Sequence, residues 1–353
     1  MTATRAPRKQ GKVRPARLTD LAALGELSRL CQSDEASTRS LGLPVSGPPI
    51  GVFSLFRLPL GAFRPNDLMY VYEEGGRISG LIRVERESTR DEWTIVEFDA
   101  VGMADAGDIR YRLVNQLLRE GARRGAARFH VACADVDGNV ELMMQAGFIR
   151  YGEERIMFRP AEELPKPWTD KAARDARIRP AQSLDALALN RLYQAATPGP
   201  VARLEAIRLP DWERQGNHSR VPRSSLAPIL RFADIEAFVQ ASPDGGKDGT
   251  ELDGFVQVGV AKEDQPHYLK VLARPEADPT ALIGFGLGII EARTTKGGEH
   301  RHDHGVIAPV RTYEGPIDRR LEDASFGSIA SVTLLMKETL VRVAEPALVP
   351  AVR

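Results

Sequence analysis

The chain has 353 residues, of which 42% are hydrophobic and 27% charged, as expected of a globular protein with a substantial core. Its 48 Lys and Arg residues balance its 48 Asp and Glu residues, so charge gives no basis for nucleic-acid binding. The sequence shows no long apolar run and no signal peptide, and two cysteines, Cys31 and Cys133, do not make a disulfide framework. These features predict a two-domain, cytoplasmic protein that does not enter the membrane.

The first predicted elements recur half a chain later. Residues 13–20 (VRPARLTD) predict a short strand that ends at a helix cap, and residues 178–185 (IRPAQSLD) repeat that pattern. Leucines at helical spacing follow both segments, and those after the first are Leu21, Leu24, Leu27 and Leu30. A repeat of this length predicts two copies of one domain. We assign a disordered basic tail to 1–12, the two domains to 13–160 and 176–347, and a linker to 161–175.

Both copies predict the same order of elements after the opening strand and helix. In the first copy, residues 33–66 are irregular and the remaining elements are strands at 68–72, 78–84 and 93–101, a helix ending near Gly125, a strand at 128–133, a short helix at 139–146 and a strand at 148–158. The second copy predicts strands at 235–240, 252–260, 268–273 and 306–310, a helix beginning at Asp278-Pro279, a short helix at 317–324 and last strands at 329–343.

Residues 93–125 are the central stretch of the first copy. They predict a strand that runs directly into an amphipathic helix. The free N–H groups and the dipole at such a helix start can hold a phosphate. The order of elements in both halves, with Gly147-Phe148 closing the short helix, resembles the GNAT superfamily of acyl-CoA-dependent N-acyltransferases. The resemblance implies an α/β (α+β) fold of two tandem GNAT-like domains, each with a mixed central sheet flanked by helices.

The resemblance also implies a place for the acyl-CoA co-substrate. In this superfamily a loop with an Arg or Gln and two small residues wraps the CoA pyrophosphate with backbone N–H groups. That loop falls on residues 105–110, where Asp105, Asp108 and Arg110 replace the usual residues. The candidate cofactor-binding residues are Val101, Met103, Gly107, Ile109, Arg110 and Arg112. The alternative is that Asp105 and Asp108 serve only as helix caps.

The second copy has a different turn at the equivalent place. Residues 276–281 include Pro279, which removes one N–H group that a phosphate would use. The glycines at 284–288 lie inside the predicted helix, where small residues favour close packing.

Candidate catalytic residues lie on the strand before the first copy's loop. Members of the superfamily often use a carboxylate there as general base for the acceptor amine. Glu97, our first choice, and Asp99 are two apart and therefore share a face; the alternative is that this face is solvated. Many members have an acidic Tyr on the short helix, but Met143 and Leu321 stand at those positions and neither can donate a proton.

The histidines His300, His302 and His304 alternate in a polar segment before a predicted strand. Alternate histidines suit a transition metal, but no distant partner ligand is identifiable, and the alternative is an exposed loop. We therefore expect no metal.

Two functions are compatible with these patterns. The first is a GNAT-like N-acyltransferase with a degenerate pyrophosphate loop that moves an acetyl or acyl group from acyl-CoA to an amine of a small molecule or peptide. The second is a catalytically inactive tandem GNAT-like binding or regulatory module. Altered loop residues and the missing Tyr favour the second function, whereas the strand–helix geometry and the carboxylate pair favour the first.

Overall fold

The computed structural model describes residues 11–31, 67–87, 91–101, 106–134, 138–161, 168–214, 221–228, 230, 232–243, 251–261, 265–294 and 305–339. Its strands are β1 Lys12–Pro15, β2 Asp67–Glu74, β3 Arg77–Arg86, β4 Glu92–Ala100, β5 Arg128–Cys133, β6 Ile149–Arg159, β7 Ile178–Pro180, β8 Phe232–Ala241, β9 Leu252–Ala261, β10 His267–Ala273, β11 Val306–Arg311 and β12 Gly327–Glu338. Its helices are α1 Leu21–Cys31, α2 Ala106–Arg123, α3 Asn139–Gln145, α4 Asp170–Asp175, α5 Ala186–Ala196, α6 Gly199–Glu205, α7 Leu209–Glu213, α8 Thr280–Thr294 and α9 Gly315–Asp323. The order of strands and helices confirms the predicted mixed α/β fold of two similar halves.

The two copies of the opening motif are built by the same contacts. Arg14 donates two hydrogen bonds to Asp20, at 2.7 and 2.9 Å, and Asp20 also accepts one from the backbone N–H of Arg17 at 2.7 Å. In the second half Arg179 donates two hydrogen bonds of 2.7 Å to Asp185. Each Asp thereby closes a short turn between a strand and a helix, and the arginine locks it in place.

The leucine side of the first helix is buried over part of its length. Leu24 and Leu27 are buried in one core cluster with Leu81 of β3, whereas Leu30, near the end of α1, is 45% exposed. Among the described residues, the packing of this helix on the sheet therefore rests on Leu24 and Leu27.

Helices cover both faces of the sheet in each half. Leu113 and Leu117 of α2 pack with Ile82 of β3, whereas Leu24 of α1 packs with the next residue along that strand, Leu81. Because neighbouring side chains on a strand point to opposite faces, α1 and α2 lie on opposite sides of the sheet. In the second half α8 and α5 cover the two faces in the same way.

The described strands of both halves form one twelve-stranded sheet through an exchange at its centre. The strand order is β1-β2-β3-β4-β5-β12-β6-β11-β10-β9-β8-β7. The last described strand, β12, pairs antiparallel with β5 of the first half, and β6 of the first half pairs antiparallel with β11 of the second. The two exchanged strands also pair with each other. The domain boundaries at 160 and 176 stay a prediction, and strand pairing runs across them.

Side chains follow the same exchange. Leu335, on β12, is buried in the first-half core with Phe129 and Phe148. Met157, on β6, is buried in the second-half core with Val256 and Leu269. Each core therefore contains residues from the other half of the sequence. Within the described ranges, no helix has the length and apolar character needed to cross a membrane.

We predict that Leu335→Ala destabilises the protein by about 2–5 kcal/mol, because it removes a fully buried side chain and leaves a cavity in the first-half core. Urea denaturation followed by circular dichroism measures the change. Leu184→Ala is the control, since Leu184 is 90% exposed and its truncation should change stability by less than about 0.5 kcal/mol. Equal effects of the two substitutions would contradict the position of β12.

We predict that Asp20→Asn lowers the free energy of unfolding at neutral pH by about 2 kcal/mol, because it weakens charged hydrogen bonds to Arg14. Those hydrogen bonds hold the pKa of Asp20 below its usual value. A carboxyl with a lowered folded-state pKa stabilises the fold above its unfolded-state pKa, and this contribution is lost as pH falls through the folded-state value. Denaturation at several pH values should show the difference between wild type and variant shrinking in acid. Asp323→Asn, on an exposed ion pair, should show no such pH-dependent difference.

Candidate active site

Strands β4 and β5 separate part of the way along the first half. They pair in parallel from Glu92–Arg128 to Ile95–Val131, after which β4 continues beside β3 to Ala100. An extra residue at Val96, opposite the Arg83–Val84 step of β3, makes a bulge that bends β4 at this point. Strands β10 and β11 pair at only two positions and separate in the same way. Both halves therefore present backbone edges on which polar groups of a ligand can bond.

A pocket of about 50 Å³ lies where β4 and β5 separate. Thr94, Val96 and His130 line it from the first half, and Arg223 and Arg311 line it from the second. We call it the junction pocket. Trp93 and Ile95, which flank Thr94, belong to the core beneath α2, so the pocket opens on the face of the sheet opposite that helix.

The two pocket arginines are held by carboxylates. Arg311 donates a hydrogen bond of 2.8 Å to Glu205 on α6, and its Nε lies 3.2 Å from Glu154 on β6. Arg223 contacts Glu92 and donates a hydrogen bond of 3.1 Å to Glu87. Burial by itself would lower the pKa of Arg311, but Glu205 and Glu154 raise it well above the usual value. Both guanidinium groups therefore stay charged.

Uncharged and titratable side chains complete the pocket wall. His130 lies 3.2 Å from Glu92, the carboxylate that Arg223 also contacts. Burial, and then the negative charge of Glu205, raises the pKa of Tyr151 to about 12. The Tyr151 phenol is therefore protonated at neutral pH and available to donate a hydrogen bond.

Both candidate carboxylates of β4 are buried. Glu97 is 2% exposed and Asp99 is 1% exposed, so the alternative of a solvated face is wrong. Glu97 accepts a hydrogen bond of 2.9 Å from the Nε of Arg83 on the neighbouring strand. It directly follows Val96, which lines the junction pocket. The role of Glu97 or Asp99 as general base stays a prediction.

The second half has a lysine where the first has Glu97. In the first half, Glu97 on β4 pairs with Arg83 on β3, three positions from the pair Gly80–Ala100. In the second half, Lys270 on β10 pairs with Gln257 on β9, three positions from the corresponding pair Gly254–Ala273. The Lys270 Nζ lies 2.9 Å from Glu314 and donates to the carbonyl oxygen of Pro309 at 3.3 Å. A buried ion pair therefore occupies this position in the second half.

The candidate pyrophosphate residues lie in a helix and not in a loop. Helix α2 begins at Ala106, so the prediction that 106–110 form a loop is wrong. Ile109, in the first turn of α2, packs closely on Gly80 of β3. A Cβ added to Gly80 would lie 2.5 Å from the Ile109 side chain. The N–H groups of this turn remain available to an anion, as at any helix start.

The candidate side chains near this turn have different partners. Arg110 is buried and donates a hydrogen bond of 2.6 Å to the side chain of Asn139, at the start of α3. Arg112 pairs with Asp108 at 2.7 Å on the exposed side of α2. Among the described residues, an added Cβ at Gly107 would meet no atom within 4 Å, so the backbone on that side is open to approach. Val101 follows β4 and packs beside the α1 core.

The remaining predicted site positions lie either outside the described residues or in the hydrophobic core. Met103 and Asp105 lie outside the described residues, as does the 299–304 histidine segment. Met143 and Leu321 are fully buried core residues, so the position of the acidic Tyr is apolar in both halves. In the part of the chain that is described, no three His, Cys, Asp or Glu side chains form a group that could hold a metal.

Arg223, Arg311 and Tyr151 line the pocket but were not among the predicted site residues. They lie on three separate elements, and no local pattern marks them as a group. Arg311 directly follows a predicted strand, and that is the one signal that would have made it a candidate.

The chain resembles solved structures at low sequence identity. It matches no family model and no curated protein sequence. A tandem GNAT protein from the clavulanic acid biosynthesis pathway matches with a TM-score of 0.54 and 11% identity, over 93% of this chain and 98% of that chain. A GCN5-related N-acetyltransferase from Sphaerobacter thermophilus matches with a TM-score of 0.53 and 14% identity, over 93% and 95% of the two chains.

A third match is to part of a larger enzyme. It is the GCN5-related glucosamine N-acetyltransferase region of a fungal multi-domain GH3 β-N-acetylglucosaminidase, with a TM-score of 0.55 and 11% identity, over 94% of this chain and 38% of that one. Matches that span both halves confirm the fold that the element order implied. The chain is a tandem GNAT-fold protein.

Proposed function

We propose that this protein is a GNAT-like N-acyltransferase, which moves an acetyl or other acyl group from acyl-CoA to an amine of a small molecule or peptide. The observation that carries the proposal is the separation of β4 and β5 at a pocket lined by Val96, the residue before the buried carboxylate Glu97. The separation gives an acyl chain access to the sheet, and the pocket gives an amine a place to meet it. The reaction takes place in the first half.

Glu97 is the general base of this reaction. It takes a proton from the acceptor ammonium, the neutral amine attacks the thioester carbonyl carbon, and a C–N bond forms as the C–S bond breaks. The thiolate leaves with the electron pair of that bond. Because Met143 cannot donate a proton, the departing thiolate takes its proton from solvent or from the newly acylated nitrogen.

The start of α2 supports binding of the CoA pyrophosphate. Its first-turn N–H groups lack helical partners, and the open backbone at Gly107 allows a phosphate to approach them. Asp108 opposes an anion there, but its pairing with Arg112 offsets part of that charge. The residues present therefore fit a pyrophosphate that is held mainly by backbone groups.

We place no reaction site in the described residues of the second half. Lys270 replaces the base and is bound to Glu314, while Pro279 limits the N–H groups at the start of α8. A binding or regulatory module without activity is the second candidate function, and the apolar residue at the acid position in both halves favours it.

We predict that acetyl-CoA stabilises the protein against heat. A ligand at 100 times its dissociation constant adds about 2.7 kcal/mol of stability, so thermal denaturation should show a clear increase in Tm. Gly107→Leu should remove this increase, because the side chain blocks the backbone, and should leave the free protein folded since the site is open. Gly25→Leu is the matched control, on α1 with equally open surroundings. No stabilisation of wild type at millimolar acetyl-CoA would reject the acyltransferase.

We predict that Glu97→Gln lowers turnover by about 100-fold or more with little change in acyl-CoA affinity, because general-base catalysis contributes about 10²–10⁴-fold. Acyl transfer is followed by thiol release with a panel of amines. Glu236→Gln is the control, since Glu236 also pairs with an arginine, Arg293, but lies on β8 of the second half. Unchanged turnover in Glu97→Gln would reject Glu97 as the base, and Asp99→Asn would then be the next variant.

A further inference from the structure

Two arginines of the second half line the junction pocket. Arg311 ends β11, and Arg223 lies in the segment 221–228. We propose that the junction pocket binds a short aliphatic group that carries a carbonyl-type oxygen, as in an amide or a carboxylate, and that this oxygen accepts hydrogen bonds from the two arginines. In the proposed acyltransferase this group belongs to the acceptor, and that assignment rests on the proposed function.

The guanidinium group of Arg311 is fixed through two of its three nitrogens. Its Nη2 donates hydrogen bonds of 2.8 Å to Glu205 and 3.0 Å to the carbonyl oxygen of Arg223, and its Nε lies 3.2 Å from Glu154. Arg311 is 3% exposed, and among the described residues its Nη1 is buried without a hydrogen-bond partner. A buried charged donor without a partner costs free energy. An oxygen that reaches Nη1 therefore recovers free energy on binding.

Arg223 has an unpartnered donor of the same kind. Its Nη2 contacts Glu92 and donates a hydrogen bond of 3.1 Å to Glu87. Its Nε is buried and has no hydrogen-bond partner within the described part of the chain. Because the carbonyl oxygen of Arg223 accepts a hydrogen bond from Arg311, the two donors belong to adjoining residues of one pocket wall. Guanidinium nitrogens only donate, and amide and carboxylate oxygens are the ligand atoms that accept from them in the plane of the group.

The rest of the pocket limits what carries the oxygen. Val96, Ala132, Pro228 and Leu334 contribute apolar lining. The volume is about 50 Å³, and since one water needs roughly 10–15 Å³, it has room for about four non-hydrogen atoms. Water also accepts hydrogen bonds from buried donors, but a methyl or methylene group gains in addition from leaving water for the apolar lining. The pocket therefore fits a group of the size of acetamide or acetate.

Three compounds of one shape test the proposal on the unsubstituted protein. Acetamide carries a neutral carbonyl oxygen and acetate a carboxylate, whereas isopropylamine has the same branched skeleton with an ammonium group and no acceptor. Saturation-transfer NMR titrations are made without acyl-CoA at about pH 7, where acetate is ionised and the amine protonated. The tighter of the two carbonyl compounds should bind at least about tenfold more tightly than isopropylamine, because a hydrogen bond to a charged group contributes about that factor.

The outcomes of these titrations are distinct. Tighter binding of acetamide identifies an amide as the natural group, and tighter binding of acetate identifies a carboxylate. Equal or tighter binding of isopropylamine would overturn the proposal. Failure of both carbonyl compounds to bind at tens of millimolar would also overturn it, since water alone would then satisfy the two arginines.

Substitution of each arginine tests its donor. Arg311→Lys keeps the charge and removes Nη1, and Arg223→Lys keeps the charge and replaces Nε by a methylene group. In each variant the ratio of carbonyl-compound affinity to isopropylamine affinity should fall by at least about threefold. A merely structural role would weaken the binding of all three compounds alike and leave that ratio unchanged.

Arg155→Lys is the matched control. Arg155 pairs with Asp318 and does not line the junction pocket, so this variant should keep the wild-type ratio. An unchanged ratio in a folded Arg311→Lys or Arg223→Lys variant would overturn the proposal. If neither variant folds, the comparison of the three compounds decides alone.

The two proposals can fail separately. Titrations without acyl-CoA measure the pocket by itself, whereas the Tm increase with acetyl-CoA measures the co-substrate site. Selective binding of a carbonyl compound without any effect of acetyl-CoA would retain the pocket and reject acyl transfer. In an active transferase, glycinamide or glycine should have a kcat/KM at least about tenfold above that of ethylamine, which lacks the oxygen. Equal values would retain the transferase and reject the assignment of the pocket to the acceptor.

Discussion

The pairing of β12 between β5 and β6 is the constraint on which the rest of the structure depends. It joins two half-sheets into one, since β6 then continues into β11. Without it, β5 and β6 would each expose an edge at the centre of the sheet. Buried side chains such as Leu335 and Met157 make the exchange cooperative, because each of them fills the other half's core.

The same exchange explains why so much charge is buried at the centre of the molecule. Glu154 lies on β6 beside β11 only because the strands are exchanged, and this places it against Arg311. Burying ions is costly, and loss of one partner from a buried pair typically destabilises a protein by about 3–5 kcal/mol. Hydrophobic side chains of similar volume would stabilise the junction as well or better. The ion pairs at this junction are therefore weak evidence for a contribution to stability.

Sequence reasoning found what depends on local contacts and on repetition. The second copy of the Arg14–Asp20 turn was visible because the same few residues recur with the same spacing in Arg179–Asp185. The exchange was not visible, because antiparallel pairing between β5 and β12 joins residues about two hundred positions apart and leaves no local pattern. For the same reason Arg223 and Arg311 escaped notice. The sequence left two interpretations of Asp105 and Asp108 open, a loop or a helix cap, because both residues suit either; the structure begins α2 at Ala106.

Comparison of the two halves gives the strongest argument for one site and not two. The register aligns Glu97 with Lys270 and Arg83 with Gln257, so an acidic group with a basic neighbour in the first half corresponds to a basic group with a neutral neighbour in the second. In the second half a new carboxylate, Glu314, compensates Lys270 within the same half. In the first half, the charged groups that line the pocket with Thr94 and His130 belong to Arg223 and Arg311 of the second half. In the proposed acyltransferase the first copy would supply the reacting groups, and side chains of the second copy would form the opposite wall of the junction pocket.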